Sequence, residues 1–183
     1  MKTTLIIFCL ALCLGVPGCQ EDPVIQVVDL NGDDVESARD PVTPESVIEN
    51  MALAYRTRDL ELYEEQLHPD FVVGFFEPMP AVHGGEVTGL SYEKNLESVV
   101  EMFADAHSIT CEMTYETPVP SEFSDYPASE GYYQVNVHNF NLRIDSRRYD
   151  SVLVVANGQV VLVLKDFGTA DRPDWKLVFE ETH

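Results

Sequence analysis

The sequence predicts an α+β domain from three observations. Between Thr43 and Phe76 a pair of helix patterns runs straight into an aromatic strand. After Ser91 comes one more amphipathic helix pattern, and from Ser108 to the end the chain is almost unbroken strand. Helices gathered ahead of a run of strands make one layer packed on one sheet. Everything before Thr43 has a different character.

Met1–Cys19 carries one lysine, an apolar run from Leu5 to Leu14, and small or turn-forming residues before the cysteine. This is the pattern of a secretory signal peptide, and the run is too short to span a bilayer as a stable helix. Val16-Pro17-Gly18-Cys19 resembles the lipobox of bacterial lipoproteins. That resemblance implies cleavage after residue 18 and a diacylglycerol thioether on Cys19. Each buried acyl methylene is worth about 0.8 kcal/mol, so two or three chains anchor firmly. Gln20 rather than Asp at the next position implies sorting to the outer membrane, facing the periplasm, under the usual Gram-negative rule. The competing reading is an ordinary signal peptide with an incidental Cys19.

Charge agrees with a tethered exported domain. The chain has 11 Lys and Arg against 32 Asp and Glu, a formal charge of −21, and loss of Met1–Gly18 removes Lys2 and no acid, giving −22. Phosphate binding needs a basic patch, so nucleic acid is not an expected partner. Repulsion from anionic headgroups holds such a domain off the bilayer. With Cys9 and Cys13 in the signal and Cys19 lipidated, Cys111 is left without an intramolecular disulfide partner. Flanked by Ile109 and Met113 on one strand face, it reads as a buried small hydrophobe.

Gln20–Val42 has seven acids, one arginine and prolines at 23 and 41. Despite the short run Val24–Leu30, it reads as a mostly flexible tether (residues 19–42) ahead of one globular domain at 43–183. A domain of that size buries on the order of two-thirds of its unfolded surface.

Thr43 caps the first helix with Pro44 in its first turn, where no N–H is needed. Val47, Met51, Ala54 and Tyr55 share a face that Ile48 and Ala52 widen. Asp59 caps a second, short helix with Leu60, Tyr63 and Leu67 as its inner row. His68-Pro69 ends it, because proline cannot continue the ladder. Phe71, Val72, Val73, Phe75 and Phe76 form the first strand. Glu77–Leu90, with two prolines and three glycines, reads as a loop; His83, Glu77 and Glu86 within it match no metal-ligand spacing.

Ser91 caps the third helix, whose Tyr92, Leu96, Val99, Val100 and Phe103 make the inner row. Ile109–Glu116 is the next strand, followed by the proline-containing loop Pro118–Gly131. Tyr132–Ile144 alternates, with Tyr133, Val135 and Val137 on one side and Tyr132, Gln134, Asn136, His138 and Phe140 on the other. Asn157-Gly158 between the apolar runs Asp150–Ala156 and Gln159–Phe167 predicts a tight hairpin. Asp174–Glu181 closes the sheet, with Trp175, Leu177 and Phe179 opposite Lys176, Val178 and Glu180.

The helix ending in AYRTRDLELY, the pair Asp59-Leu60, and LHPDF from Leu67 to Phe71 resemble the opening of the NTF2-like (SnoaL-like) superfamily. The likeness extends coarsely over Thr43–Glu181. It implies a cone, in which a curved, mostly antiparallel sheet wraps around the N-terminal helices and a third helix and leaves a pocket. The ketosteroid isomerase branch pairs a tyrosine with an aspartate base, and alignment on Asp59-Leu60 puts Met51 and Phe75 at those positions. Neither residue does that chemistry.

Other pocket candidates are Tyr55, Gln134, Asn136, His138 and Arg143, with His138 the candidate general base. If the even-numbered residues of Tyr132–Phe140 face inward, Gln134, Asn136 and His138 join Met51, Tyr55 and Phe75 as pocket lining. Asp70 reads as a turn cap. No nucleophile elbow, phosphate loop or zinc motif occurs in the sequence, and no cofactor or metal is expected.

The sequence thus points to a membrane-anchored lipoprotein with a non-catalytic domain that binds a small apolar ligand or a protein partner. Two alternatives stand beside it. One is a pocket enzyme of the isomerase, dehydratase or hydrolase kind using His138 with a nearby carboxylate; the other is a structural homodimer module.

Overall fold

A computed structural model describes residues 25–28, 38–80 and 86–182. The signal peptide, Cys19, His83 and most of the acidic stretch lie outside the described residues. In chain order the elements are β1 (Ile25–Val28), α1 (Pro44–Thr57), α2 (Leu60–Glu65), β2 (Leu67–Pro80), β3 (Glu86–Ser91), α3 (Tyr92–Asp105), β4 (Ala106–Glu116), β5 (Val119–Pro120), a 3₁₀ turn at Ala128–Glu130, β6 (Tyr132–Ser146), β7 (Ser151–Asp166) and β8 (Trp175–Thr182). The sheet runs β1-β4-β6-β7-β8-β2-β3, with β5 beside β6; it is curved and unclosed. Its pairings are antiparallel except β2 with β8. The helices cover one face and bury one core against it.

The helix signals operate as their chemistry suggests. Thr43 and Ser46 form a reciprocal capping box, and the left-handed Arg58 (φ 58°) stops α1 while its guanidinium donates to the Ala106 carbonyl at 2.8 Å. Val47, Ile48, Met51, Ala52, Ala54 and Tyr55 are all buried. Each fully buried Val or Ile side chain contributes roughly 1.5–3 kcal/mol, so this face fixes the helix on the sheet. Asp59 caps α2 by accepting from the Leu62 N–H at 3.0 Å. On α3, Val99 and Phe103 face in, but Val100 is 45% exposed. Asn95 takes a buried place instead, because its amide has a partner there in Tyr63.

The stretch read as a tether has structure at both ends. Ile25–Val28 pairs antiparallel with β4, Ile25 opposite Glu116 and Val28 opposite Met113. Alternating apolar residues beside an open sheet edge find hydrogen-bond partners that an isolated segment lacks. At the other end, the Arg39 backbone exchanges hydrogen bonds of 2.9 and 2.7 Å with the buried Asn50 amide, and Pro41 accepts from the Trp175 N–H. The loop expected at Glu77–Leu90 is likewise partly strand, since β2 continues to Pro80 and β3 begins at Glu86.

Asn157-Gly158 does not turn. β7 runs through it, with Asn157 opposite Asn141 and Gly158 opposite Phe140. The turn lies at Arg147–Asp150, where Asp150 takes φ 47° and Asp105 accepts from the N–H groups of Arg147 and Arg148. A continuous β7 pairs with β6 on one side and β8 on the other, and that ladder outweighs a local turn preference.

Three bulges decide which side chains face the core. On β6, Val137 lies opposite Val160 but Phe140 opposite Gly158, leaving His138 and Asn139 against one residue. Val135 and Val137 therefore face inward before the bulge, and Phe140, Leu142 and Ile144 after it. On β8 the register slips between Val163/Phe179 and Leu164/Leu177, with Val178 as the extra residue. Leu177 joins the core, whereas Phe179 packs outside, 5.5 Å from the Phe123 ring and 5.2 Å from that of Tyr126. On β7 the slip falls at Val155. A bulge shifts the two-residue alternation by one, so strict alternation fails beyond it.

Candidate functional site

The interior of the cone holds a small cavity of about 10 Å³, room for a single water. Met51 and Tyr55 from α1, Met113 from β4, Phe140 from β6, Val160 and Leu162 from β7 and Glu180 from β8 line it. Glu180 reaches this wall because the bulge at Val178 puts it opposite Leu162. The strand alternation had set Glu180 apart from Leu177, and Glu181 beside it is equally acidic, so nothing in the sequence singled Glu180 out.

Glu180 makes no hydrogen bond or ion pair among the described residues. Burial alone pushes its carboxyl up to about 7, because an ion without a partner is costly in a medium of low polarisability. Tyr55 stands nearby, its phenol raised well above the usual value first by burial and then by the neighbouring Tyr63 and Glu180. Its hydroxyl donates to the Tyr63 hydroxyl at 3.4 Å, and Tyr63 is held by the Asn95 amide. Cys111 is buried and its thiol is pushed up to about 12, chiefly by burial, so it is protonated and inert at neutral pH.

The sequence-predicted pocket residues divide into two groups. Met51 and Tyr55 line the cavity; Phe75 does not, and is partly buried against the core. Gln134, Asn136 and His138 do not line it. They lie on the opposite face of β6 from Val135 and Val137, and the odd-numbered side chains face inward there because the bulge comes only at His138. The Gln134 side chain accepts from the Glu122 N–H at 2.9 Å. Asn136 donates to one oxygen of Glu116 at 2.9 Å, and the His138 Nε2 lies 2.7 Å from the other. The Asn136 hydrogen bond first, then His138, holds the Glu116 carboxyl below the usual range.

His138 therefore has a carboxylate, but on an open sheet face. Arg143 is exposed and donates to Asn141 at 3.1 Å; Asp70 is exposed, its N–H directed at His68 Nδ1. A second concavity of about 430 Å³, lined by Thr57, Arg58, Leu60, Val100, Phe103 and Ala104, is a shallow open groove whose one charged side chain is already bound to Ala106. Among the described residues no group of three His, Cys, Asp or Glu could hold a metal ion, and no helix is long and apolar enough to cross a membrane.

No protein-family model and no curated protein matches this sequence. Solved structures do match in fold. A conserved protein from Planctomyces limnophilus superposes with a TM-score of 0.56 at 13% identity, over 75% of this chain and 90% of its own. A protein from Novosphingobium aromaticivorans, proposed as an aromatic ring hydroxylase, gives 0.51 at 12% identity over 75% and 82%. A ketosteroid isomerase-like protein from Erwinia carotovora atroseptica gives 0.47 at 13% identity over 75% and 89%. The chain has the α+β, NTF2-like cone fold. At these identities the likeness is one of fold, and fold leaves function to the site.

Proposed function

We propose that this protein is an exported lipoprotein, anchored through Cys19 in the bacterial outer membrane facing the periplasm, whose cone binds a small, largely apolar ligand without transforming it. The observation that carries the binding reading is the cavity wall. Six apolar side chains and one carboxyl converge there from five elements, the proportion of apolar surface to orienting polar group found in small-molecule sites. The non-catalytic reading is supported by residue identity: Met51 in the wall and Phe75 against the core stand where the resembled isomerases carry their reacting pair, and His138 is elsewhere.

Native mass spectrometry tests the binding reading. The protein is purified gently from its host and then stripped with solvent. A co-purifying small molecule is the expected result; empty protein, shown to be folded, would sink it. For the anchor, Cys19→Ser is expected to release the protein from the membrane fraction.

A protein partner is the second reading. It is favoured by Tyr149, Val152, Val154 and Val155, all at least 50% exposed on the β6–β7 hairpin. That patch would also serve a homodimer, and the mass of the native species distinguishes the two.

A further inference from the structure

The identity of the polar group in the cavity says more about the ligand than its apolar walls do. Glu180 makes no hydrogen bond or ion pair among the described residues, and the Tyr55 hydroxyl in the same wall donates to Tyr63 instead. The titratable groups around it are Tyr55 on α1, Tyr63 on α2 and Cys111 on β4. All three are driven further toward their neutral, protonated forms, so none supplies a positive charge near neutral pH. Arg56, also on α1, acts on the Cys111 thiol, while burial is what shifts Glu180. β7 contributes only Val160 and Leu162 to the wall.

A carboxyl so placed is completed by a cation. Tyr55 and Phe140 stand in the same wall, and the face of an aromatic ring attracts a cation. Met51 and Met113 supply soft, polarisable sulfur, and their flexible side chains can re-pack to enlarge a cavity that holds about one water as it stands. The formal charge of −21 draws cations toward the protein as a whole.

We propose that the cone interior binds a small lipophilic amine as its ammonium ion, with Glu180 pairing the nitrogen and Met51, Met113, Phe140, Val160 and Leu162 enclosing the hydrocarbon. The inference rests on the reading of the cone as a ligand site, and its test separates the two. An alkylammonium stays protonated across neutral pH. Glu180, pushed up to about 7, is mostly neutral at pH 6 and mostly ionised at pH 8. Affinity for the amine therefore rises about tenfold between those values, in proportion to the ionised fraction. A ligand that accepts a hydrogen bond from the neutral acid shows the reverse trend.

The experiment is calorimetric titration of the full protein, as its host produces it, with n-hexylamine hydrochloride and with n-hexanol at pH 6 and pH 8. The expected result is hexylammonium binding that strengthens about tenfold with pH, hexanol binding at least tenfold weaker at pH 8, and loss of the amine preference in Glu180→Gln. Circular dichroism and retained hexanol binding establish that the variant is folded, and the wild-type pH trend stands as an independent readout. Hexanol binding as well as or better than the amine at pH 8 would overturn the amine inference and leave the ligand site standing. Binding of neither probe would overturn both.

Discussion

The hydroxyl of Tyr63 lies 3.0 Å from Oδ1 and 3.1 Å from Nδ2 of Asn95, joining α2 to α3 beneath the surface. The Tyr55 hydroxyl donates to the Tyr63 hydroxyl at 3.4 Å, so one buried phenol serves all three helices. Tyr63→Phe keeps the ring and removes the junction, stranding the Asn95 amide. A loss of about 1–3 kcal/mol in urea unfolding is expected, because a buried polar group without a partner bears its full desolvation cost. A change below about 0.5 kcal/mol would show that the hydroxyl chain is energetically idle.

Glu180 makes stability depend on pH in a defined direction. Its folded value is raised to about 7, so from about pH 4.5 upward the unfolded chain releases a proton that the folded chain retains. Folding is therefore progressively disfavoured until the folded group also ionises near pH 7. Glu180→Gln removes this dependence. The stability of wild type relative to the variant should fall by up to roughly 3 kcal/mol across that window. Parallel pH profiles in guanidinium unfolding would refute the assignment.

His138→Ala tests whether the open sheet face matters to binding. The ring pairs with Glu116 at 2.7 Å but is 41% exposed, and exposed ion pairs are worth about 0–1 kcal/mol. Stability should move by less than about 1 kcal/mol, and affinity for a cavity ligand should not move at all. A tenfold loss of affinity would place the binding site on β6's outer face.

Gly89 is required by close backbone approach. A Cβ there would lie 2.4 Å from the Val73 carbonyl oxygen, and backbone cannot swing aside as a side-chain tip can. Gly89→Ala should cost about 1–3 kcal/mol by forcing β3 away from β2. An unchanged urea midpoint would mean that the edge pairing yields without cost.

The sequence by itself determined the helices, their N-terminal caps and most of their buried faces, although Val100 stays exposed and Leu67 belongs to β2 rather than to α2. Thr43, Asp59 and Ser91 are local signals acting within one turn, and Val47, Met51 and Tyr55 repeat at a period that nothing in tertiary packing needs to adjust. It also carried the α+β order and, through AYRTRDLELY and LHPDF, the likeness to the NTF2-like cone. Only the tertiary structure decided the sheet. Asn157-Gly158 carries a local turn preference but is held extended between two neighbours, and Ile25–Val28 is a strand because β4 offers it an edge.

The site belongs to this second class. A bulge of one residue at His138 and another at Val178 reverse which side chains enter the cone, turning the Gln134–His138 row outward and Glu180 inward. Strand registers are set by partners distant in sequence, so a period-two reading has no access to where the count slips.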